Sequence, residues 1–385
     1  MAVYYINLSL ILGLGIPLCV IKPAKWKSAL YLAVIFGYMW FLASFRQGIG
    51  FDYQNYIDIF QRHKNAPIFD EMTAAGLEPG FILLNKLMSF FTINPAAMYG
   101  IYSFLILAPV ALFIYRYCKD IWLSAWLYVT VTFFYSIMNF IRQGLACSVI
   151  LLGYGFLRGK KPVPFIAVVL LAACFHKTAL IMIPVYFLCH IKLTWRLGAV
   201  YTGLTLVLYL ASGFIVDTVT DFIFTGYKDT IWLEAGMPMR FLFIPAVMFA
   251  VCLSLKSVWE KRDPDANLLL SLVMFSFICW LFITNHFILE RFGMYMYIFI
   301  IAAIPSALAS LKAPPEIYDK YDELKENKKF SKELSAYGKK IREHKKYYWC
   351  AVAAVIIITF CYHEYGAHAG GFHGVFPYKS VFNWL

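Results

Sequence analysis

The reading of the chain turns on Phe45-Arg46-Gln47-Gly48-Ile49-Gly50-Phe51-Asp52-Tyr53-Gln54-Asn55-Tyr56. An apolar run near 26–45 ends there, and an arginine, two glycines, a carboxylate and two tyrosines follow at once. A helix crossing about 30 Å of hydrocarbon needs roughly 20 mostly apolar residues, so the run reads as a membrane span. The stretch after it reads as a loop at the membrane surface that grips something charged.

The same signature repeats along the chain. Of 385 residues 61% are hydrophobic, 19% aromatic and only 15% charged, which excludes a soluble fold. Apolar runs near 3–21, 26–45, 96–116, 121–139, 143–158, 162–175, 178–191, 197–216, 241–258, 266–286, 292–311 and 348–364 predict an all-α polytopic membrane protein. About 12 transmembrane helices are expected, in one membrane domain over 1–385. Runs 162–175 and 178–191 are too short to cross without tilting or dipping around a cavity. Val3 to Ile21 has no basic region before it and no small-residue cleavage site after it, so it reads as a retained helix.

Lys and Arg in short loops mark the cytoplasmic side. Lys22, Lys25, Lys27, Arg116, Lys119, Arg158, Lys160, Lys161, Lys192, Arg196, Lys256, Lys261 and Arg262 alternate consistently if 81–93 is an interfacial or re-entrant helix. Both termini are then outside, with 46–95 the first outer loop and 217–240 another. The insert 312–347 falls inside and ends in the basic run 339–346, which suits a helix attracted to anionic lipid. Much of the net charge of +12 sits on these inner segments. No base-reading module accompanies it, so no nucleic acid partner is expected. The nine cysteines lie in or at the ends of apolar runs without a Cys-x-x-Cys pair, which predicts neither a disulfide framework nor a metal site.

With sides assigned, the polar residues that cost most at membrane depth collect on the outer face. They are Arg46, Asp52, Glu78, Arg142, Gln143, His176, Lys177, His286, Glu290, Arg291 and the tail around His363, His368, His373 and Pro377-Tyr378. Each has a structural alternative. Arg46 reads also as a snorkelling anchor, Asp52 as the cap of a helix opening at Tyr53, and Glu78 as a cap before Pro79. His176 suits a hydrogen-bonded structural histidine as well as a catalytic one. Arg142 sits in a tight turn between apolar helices, and its fork of donors suits phosphate oxygens. Cations beside carboxylates on one outer face fit an anionic, lipid-borne substrate.

The chain resembles the EpsG family of bacterial polysaccharide polymerases, related in role to the Wzy polymerases of O-antigen and capsule pathways. The markers are Arg46 with Gly50-x-Asp52-Tyr53 and Tyr56, Glu78-Pro79-Gly80-Phe81-Ile82-Leu83-Leu84-Asn85, Ile141-Arg142-Gln143-Gly144-Leu145-Ala146, Ala173-Cys174-Phe175-His176-Lys177-Thr178-Ala179-Leu180, Glu290-Arg291-Phe292 and Pro377-Tyr378. Phe51 stands where that family more often has a small residue, and the insert 312–347 is long. The resemblance implies a broad GT-C-like glycosyltransferase architecture in the bacterial inner membrane, with a periplasmic active face. It also implies polymerisation of undecaprenyl-diphosphate-linked repeat units, with no nucleotide sugar and no cofactor. The implied partners are the lipid-linked glycan, membrane lipids, and a chain-length regulator and a flippase of the same pathway.

On that reading Arg142, Lys177, Arg291 and Arg46 hold the diphosphate. Asp52, Glu78 and His176 are alternatives for activating the acceptor hydroxyl, and Tyr53, Tyr56, Gln143 and Glu290 are placed on the glycan. The rival classes are an O-antigen ligase, a membrane O-acyltransferase using a histidine such as His286 or His363, and a transporter of the lipid-linked unit.

Overall fold

Prolines and cap residues set where the helices begin. The computed structural model describes residues 2–65, 76–214, 236, 238–326, 332–369 and 374–382. Helix α1 (Ala2–Val20) returns as α2 (Lys25–Ser44) in an antiparallel pair, with Tyr38 donating to the Val3 carbonyl and Tyr31 to that of Ile11. Two short helices follow, α3 (Tyr53–Asn65) and α4 (Pro79–Ser89). Asn94 caps α5 (Pro95–Tyr117) by accepting from the Ala96 amide at 2.8 Å, with Pro95 in the first turn, where no amide donor is needed.

Next, α6 (Ile121–Thr130) and α7 (Phe133–Asn139) meet at a 50° bend, where Thr132 has a φ of 79°. The chain breaks again at Phe140 before α8 (Ile141–Leu152), and α9 (Tyr154–Arg158), α10 (Pro162–Ala173) and α11 (Lys177–Cys189) follow. Then come α12 (Trp195–Leu210), α13 (Met239–Trp259), α14 (Ala266–Ile283), α15 (Glu290–Ala309), α16 (Pro315–Glu326) and α17 (Lys332–Ala369).

Seven of these, α1, α2, α5, α13, α14, α15 and α17, are long and apolar enough to cross a membrane, and the bent α6–α7 pair makes up to eight. The other apolar runs fall on helices that are shorter than a full span. Runs 143–158, 162–175 and 178–191 become the short α8–α9, α10 and α11. Helix α12 has 16 residues and leads into 215–235, outside the described residues, as is most of the expected loop 217–240. Helix α4, with 11 residues, is about 16 Å long, roughly half the hydrocarbon thickness.

Helix α15 is the axis of the bundle: 89% of its apolar window is buried, against 22% for α13. Trp126 on α6 donates to Thr359 on α17 at 3.0 Å, bringing α17 onto the same core. Leu30 and Val34 on α2 and Leu204 and Val207 on α12 face outward, as a lipid-facing surface requires.

One end of the bundle is fastened by polar contacts. Asp120 pairs with Lys312 at 3.1 Å and accepts from Tyr348 at 2.8 Å, while Trp259 donates to Ser306 at 2.9 Å. There α16 packs along the start of α17 within the insert 312–347, and α17 carries 339–346 into its apolar part as one 38-residue helix. The opposite end holds the charged residues singled out above.

Candidate active site

Five segments distant in sequence converge at that end: the loop after α2, the approach to α4, the α7–α8 break, the α10–α11 turn and the start of α15. The join between two of them is backbone to backbone. The Gly80 amide donates to the Cys174 carbonyl at 2.8 Å, and a Cβ on Gly80 would lie 2.7 Å from that oxygen. Only glycine lets α4 seat against the α10–α11 turn this closely.

That seating delivers Glu78 to three donors. Its Oε1 accepts from His176 Nδ1 at 2.9 Å and from the Lys177 amide at 3.2 Å, and its Oε2 accepts from Arg142 Nη1 at 2.6 Å. Glu78 occupies the cap position of α4, yet its side chain makes no capping bond there. The carboxylate has been turned from the helix into an ion pair.

Electrostatics assigns the protons. Burial alone raises the Glu78 carboxyl, but the His176 hydrogen bond and the Arg142 charge outweigh it and hold the group at about 2. Burial pushes His176 down, against the pull of Glu78, and Arg142 and Arg291 add to the lowering. One scheme satisfies both shifts: Glu78 is anionic, Arg142 is its counter-ion, and His176 is neutral with its proton on Nδ1. His176 Nε2 makes no hydrogen bond among the described residues.

Asp52 feels the same cations. Burial raises its carboxyl, opposed by Arg291 and then by Arg142. Its backbone amide is held by Asn139 Oδ1 at 3.0 Å, while its carboxylate makes no hydrogen bond to any described residue. Arg142 thus pairs with an engaged carboxylate, while both arginines act electrostatically on one that makes no hydrogen bond to a described residue.

A sequence model of the EpsG family matches residues 14–316. The chain belongs to the EpsG family. This is a family of Wzy-like polysaccharide polymerases of the membrane. No curated protein and no solved structure matches the chain. Asp52, Glu78, Arg142, His176 and Arg291 all lie inside the matched residues of this EpsG protein, whereas Pro377-Tyr378 lies beyond them.

Not every residue of the expected constellation stands at this cluster's surface. Arg46 is 1% exposed, donating to the carbonyls of Ala43 and Met138 with its guanidinium 4.0 Å from the Tyr99 ring. It welds α2 to α7 and leaves little surface for a diphosphate. Lys177 has an exposed side chain beside the cluster. Tyr53 stacks on Tyr99 at 4.9 Å, and Tyr56 is buried against Phe81 and bonded to Arg142. Gln143 is buried and donates to the Arg291 carbonyl at 2.9 Å, so it orients Arg291. Glu290 is buried among Arg291, Tyr297 and Tyr362. His363 is fully buried, bonded to Tyr135 at 2.7 Å and Glu364 at 2.9 Å, and His373 lies outside the described residues.

Asn139 is not among the residues singled out, and Asn85 appears there only as the end of the marker that opens at Glu78. Asn139 holds the Asp52 amide, and Asn85 accepts from Tyr102 and donates to the Phe81 carbonyl behind Glu78. The signal for both was available: each is a lone amide inside an apolar run, and such a group must find a partner.

Proposed function

We propose that the protein joins lipid-diphosphate-linked oligosaccharide units by glycosyl transfer and releases the lipid diphosphate. The observation that carries this reading is the pair Arg142 and Arg291, both acting on the Asp52 carboxylate, with Arg142 also ion-paired to Glu78. Guanidinium groups already in place stabilise charge as it develops on a leaving diphosphate, at no cost of reorganisation. The anomeric carbon–oxygen bond of the donor breaks with its electron pair leaving on the diphosphate. The acceptor hydroxyl oxygen forms the new bond to that carbon, and its proton passes to Asp52.

Asp52 suits the base better than its alternatives. Both oxygens of Glu78 are occupied and its carboxyl is held at about 2, too weak a base for a hydroxyl. His176 is 6% exposed and is tied to Glu78. In this reading Glu78 and His176 position Arg142, and exposed Lys177 supplies a further cation at the rim.

The placement of Lys and Arg in short loops supports a bacterial inner membrane orientation with this end periplasmic, both termini on that side, and the 312–347 insert cytoplasmic. The substrate class then is an undecaprenyl-diphosphate-linked repeat unit, delivered by a flippase, with product length set together with a chain-length regulator. The deciding assay incubates the purified protein in lipid nanodiscs with a synthetic polyprenyl-diphosphate-linked oligosaccharide. A ladder of products is expected. A single addition would point to a ligase or an acyltransferase, and no covalent change would overturn the enzymatic reading.

A further inference from the structure

The Asp52 loop has no regular secondary structure, so something must supply partners for its backbone. The partner is a segment more than 300 residues away. The Gln47 amide donates to the Lys379 carbonyl at 2.9 Å, the Gly50 amide to the Gly374 carbonyl at 3.0 Å, and the Val381 amide to the Phe45 carbonyl at 3.0 Å. Arg46 and Ser380 face each other as an antiparallel bridge. Residues 374–382 thus form a strap across the loop.

The strap is itself anchored. Tyr378 donates to the Leu42 carbonyl at 2.9 Å, and Tyr4 donates to that of Val375 at 2.9 Å. The Phe376 ring packs on Tyr4 at 4.4 Å and on Tyr135 at 5.0 Å. Tyr135 lies on α7, whose last residue, Asn139, holds the Asp52 amide. At Gly374, with φ of 75°, a Cβ would lie 3.0 Å from the ring of Phe51, the residue before Asp52. A left-handed backbone and a crowded ring together call for glycine there.

We propose that strap 374–382 is a positioning element of the active site, holding the loop that presents Asp52. It rests on the reading above in taking Asp52 as the base, and it extends that reading to residues outside the 14–316 family match. The arginines that receive the diphosphate come from α8 and α15, which the strap bonds above do not touch. Loss of the strap therefore acts on the proton-transfer step and spares donor binding. An error of about 1 Å in a reacting group can cost about 100-fold in rate.

The test compares the full chain with a variant ending at Ala369 and with Val381→Pro, which removes only the bond to Phe45. Hydrogen exchange of the 45–53 segment in nanodiscs reads the strap itself, independently of any activity. Faster exchange there, with the α5, α14 and α15 amides unchanged, is expected in both variants. Unchanged protection of 45–53 in Val381→Pro and in a folded truncation would overturn the proposal. Turnover then reads the functional link. A fall of about 10- to 100-fold in kcat with KM for the lipid-linked donor within about twofold is expected. Combining either change with Asp52→Asn should add little further loss, because the strap acts through Asp52. A full additional loss in that background, or a rise in KM with kcat unchanged, would sink the positioning role. If the wild-type chain forms no polymer at all, the glycosyl-transfer reading fails while the exchange result still decides whether the strap holds the loop.

Discussion

Replacing Glu78 by Gln tests the arrangement at its centre. The side chain keeps its shape but loses the charge that Arg142 compensates, and one of its two oxygens becomes a donor facing a guanidinium. With an ordinary value of 4.5 and a folded value of about 2, the carboxyl contributes about 3 kcal/mol of stability at pH 7. The sign follows from the depressed value: this contribution is complete well above pH 4.5 and is lost as pH falls toward 2. At pH 3 about 1.4 kcal/mol should remain. The gap in apparent melting midpoint between wild type and Glu78→Gln, followed by tryptophan fluorescence in nanodiscs, should therefore be wide at pH 7 and about two fifths as wide at pH 3. In activity, Arg142 loses its fixed position, so kcat/KM should drop by roughly 100-fold, a size ordinary for a displaced charge-stabilising donor. A variant as stable as wild type at pH 7, or a gap that does not narrow in acid, would refute the ion-pair assignment.

Three further outcomes follow from the same geometry. Arg142→Lys and Arg291→Lys should each lower kcat/KM by about 100- to 1,000-fold in the product-ladder assay, because an ammonium cannot replace the fork of donors; near-wild-type polymer length in either would remove the diphosphate assignment. Asp52→Asn should abolish the acid limb of the pH–rate profile. In wild type that limb is displaced upward from an ordinary aspartate's, since burial raises Asp52 and the base must be ionised to act. An acid limb that survives the substitution would move the base to His176. Arg46→Met should cost about 3 kcal/mol in stability, because two carbonyls lose a charged donor, while KM for the lipid-linked donor stays within twofold; a large rise in KM would restore Arg46 to the diphosphate.

The sequence made the class and the neighbourhood of the site legible, because both rest on local signals. Apolar runs announce spans, and Arg142, His176 and Glu78 stand out as polar groups in tight turns between them. Helix breaks were less visible, since Thr132 and Phe140 interrupt α6–α8 without lowering hydropathy. The burial of Arg46 was not legible, for a definite reason. An arginine just past a span reads as an exposed cation, and nothing local reveals that the Met138 carbonyl and the Tyr99 ring will enclose it. The ranking of Glu78, Asp52 and His176 was equally hidden, because it depends on how many donors reach each carboxylate.

The pairing of the Asp52 loop with its strap also sets an order of events during synthesis. The loop is made early, but the carbonyls that receive the Gln47 and Gly50 amides belong to residues 379 and 374. At about 5–20 residues per second the loop waits roughly 15–60 s for them. Through that interval, Glu78, Arg142 and His176 can pair while the Asp52 loop waits for its strap. Charge compensation at Glu78 is thereby completed before the Asp52 loop is held, which happens only as synthesis passes residue 382. A ribosome-bound chain arrested with 1–370 emerged should show a fast-exchanging Gln47 amide beside an already protected α5.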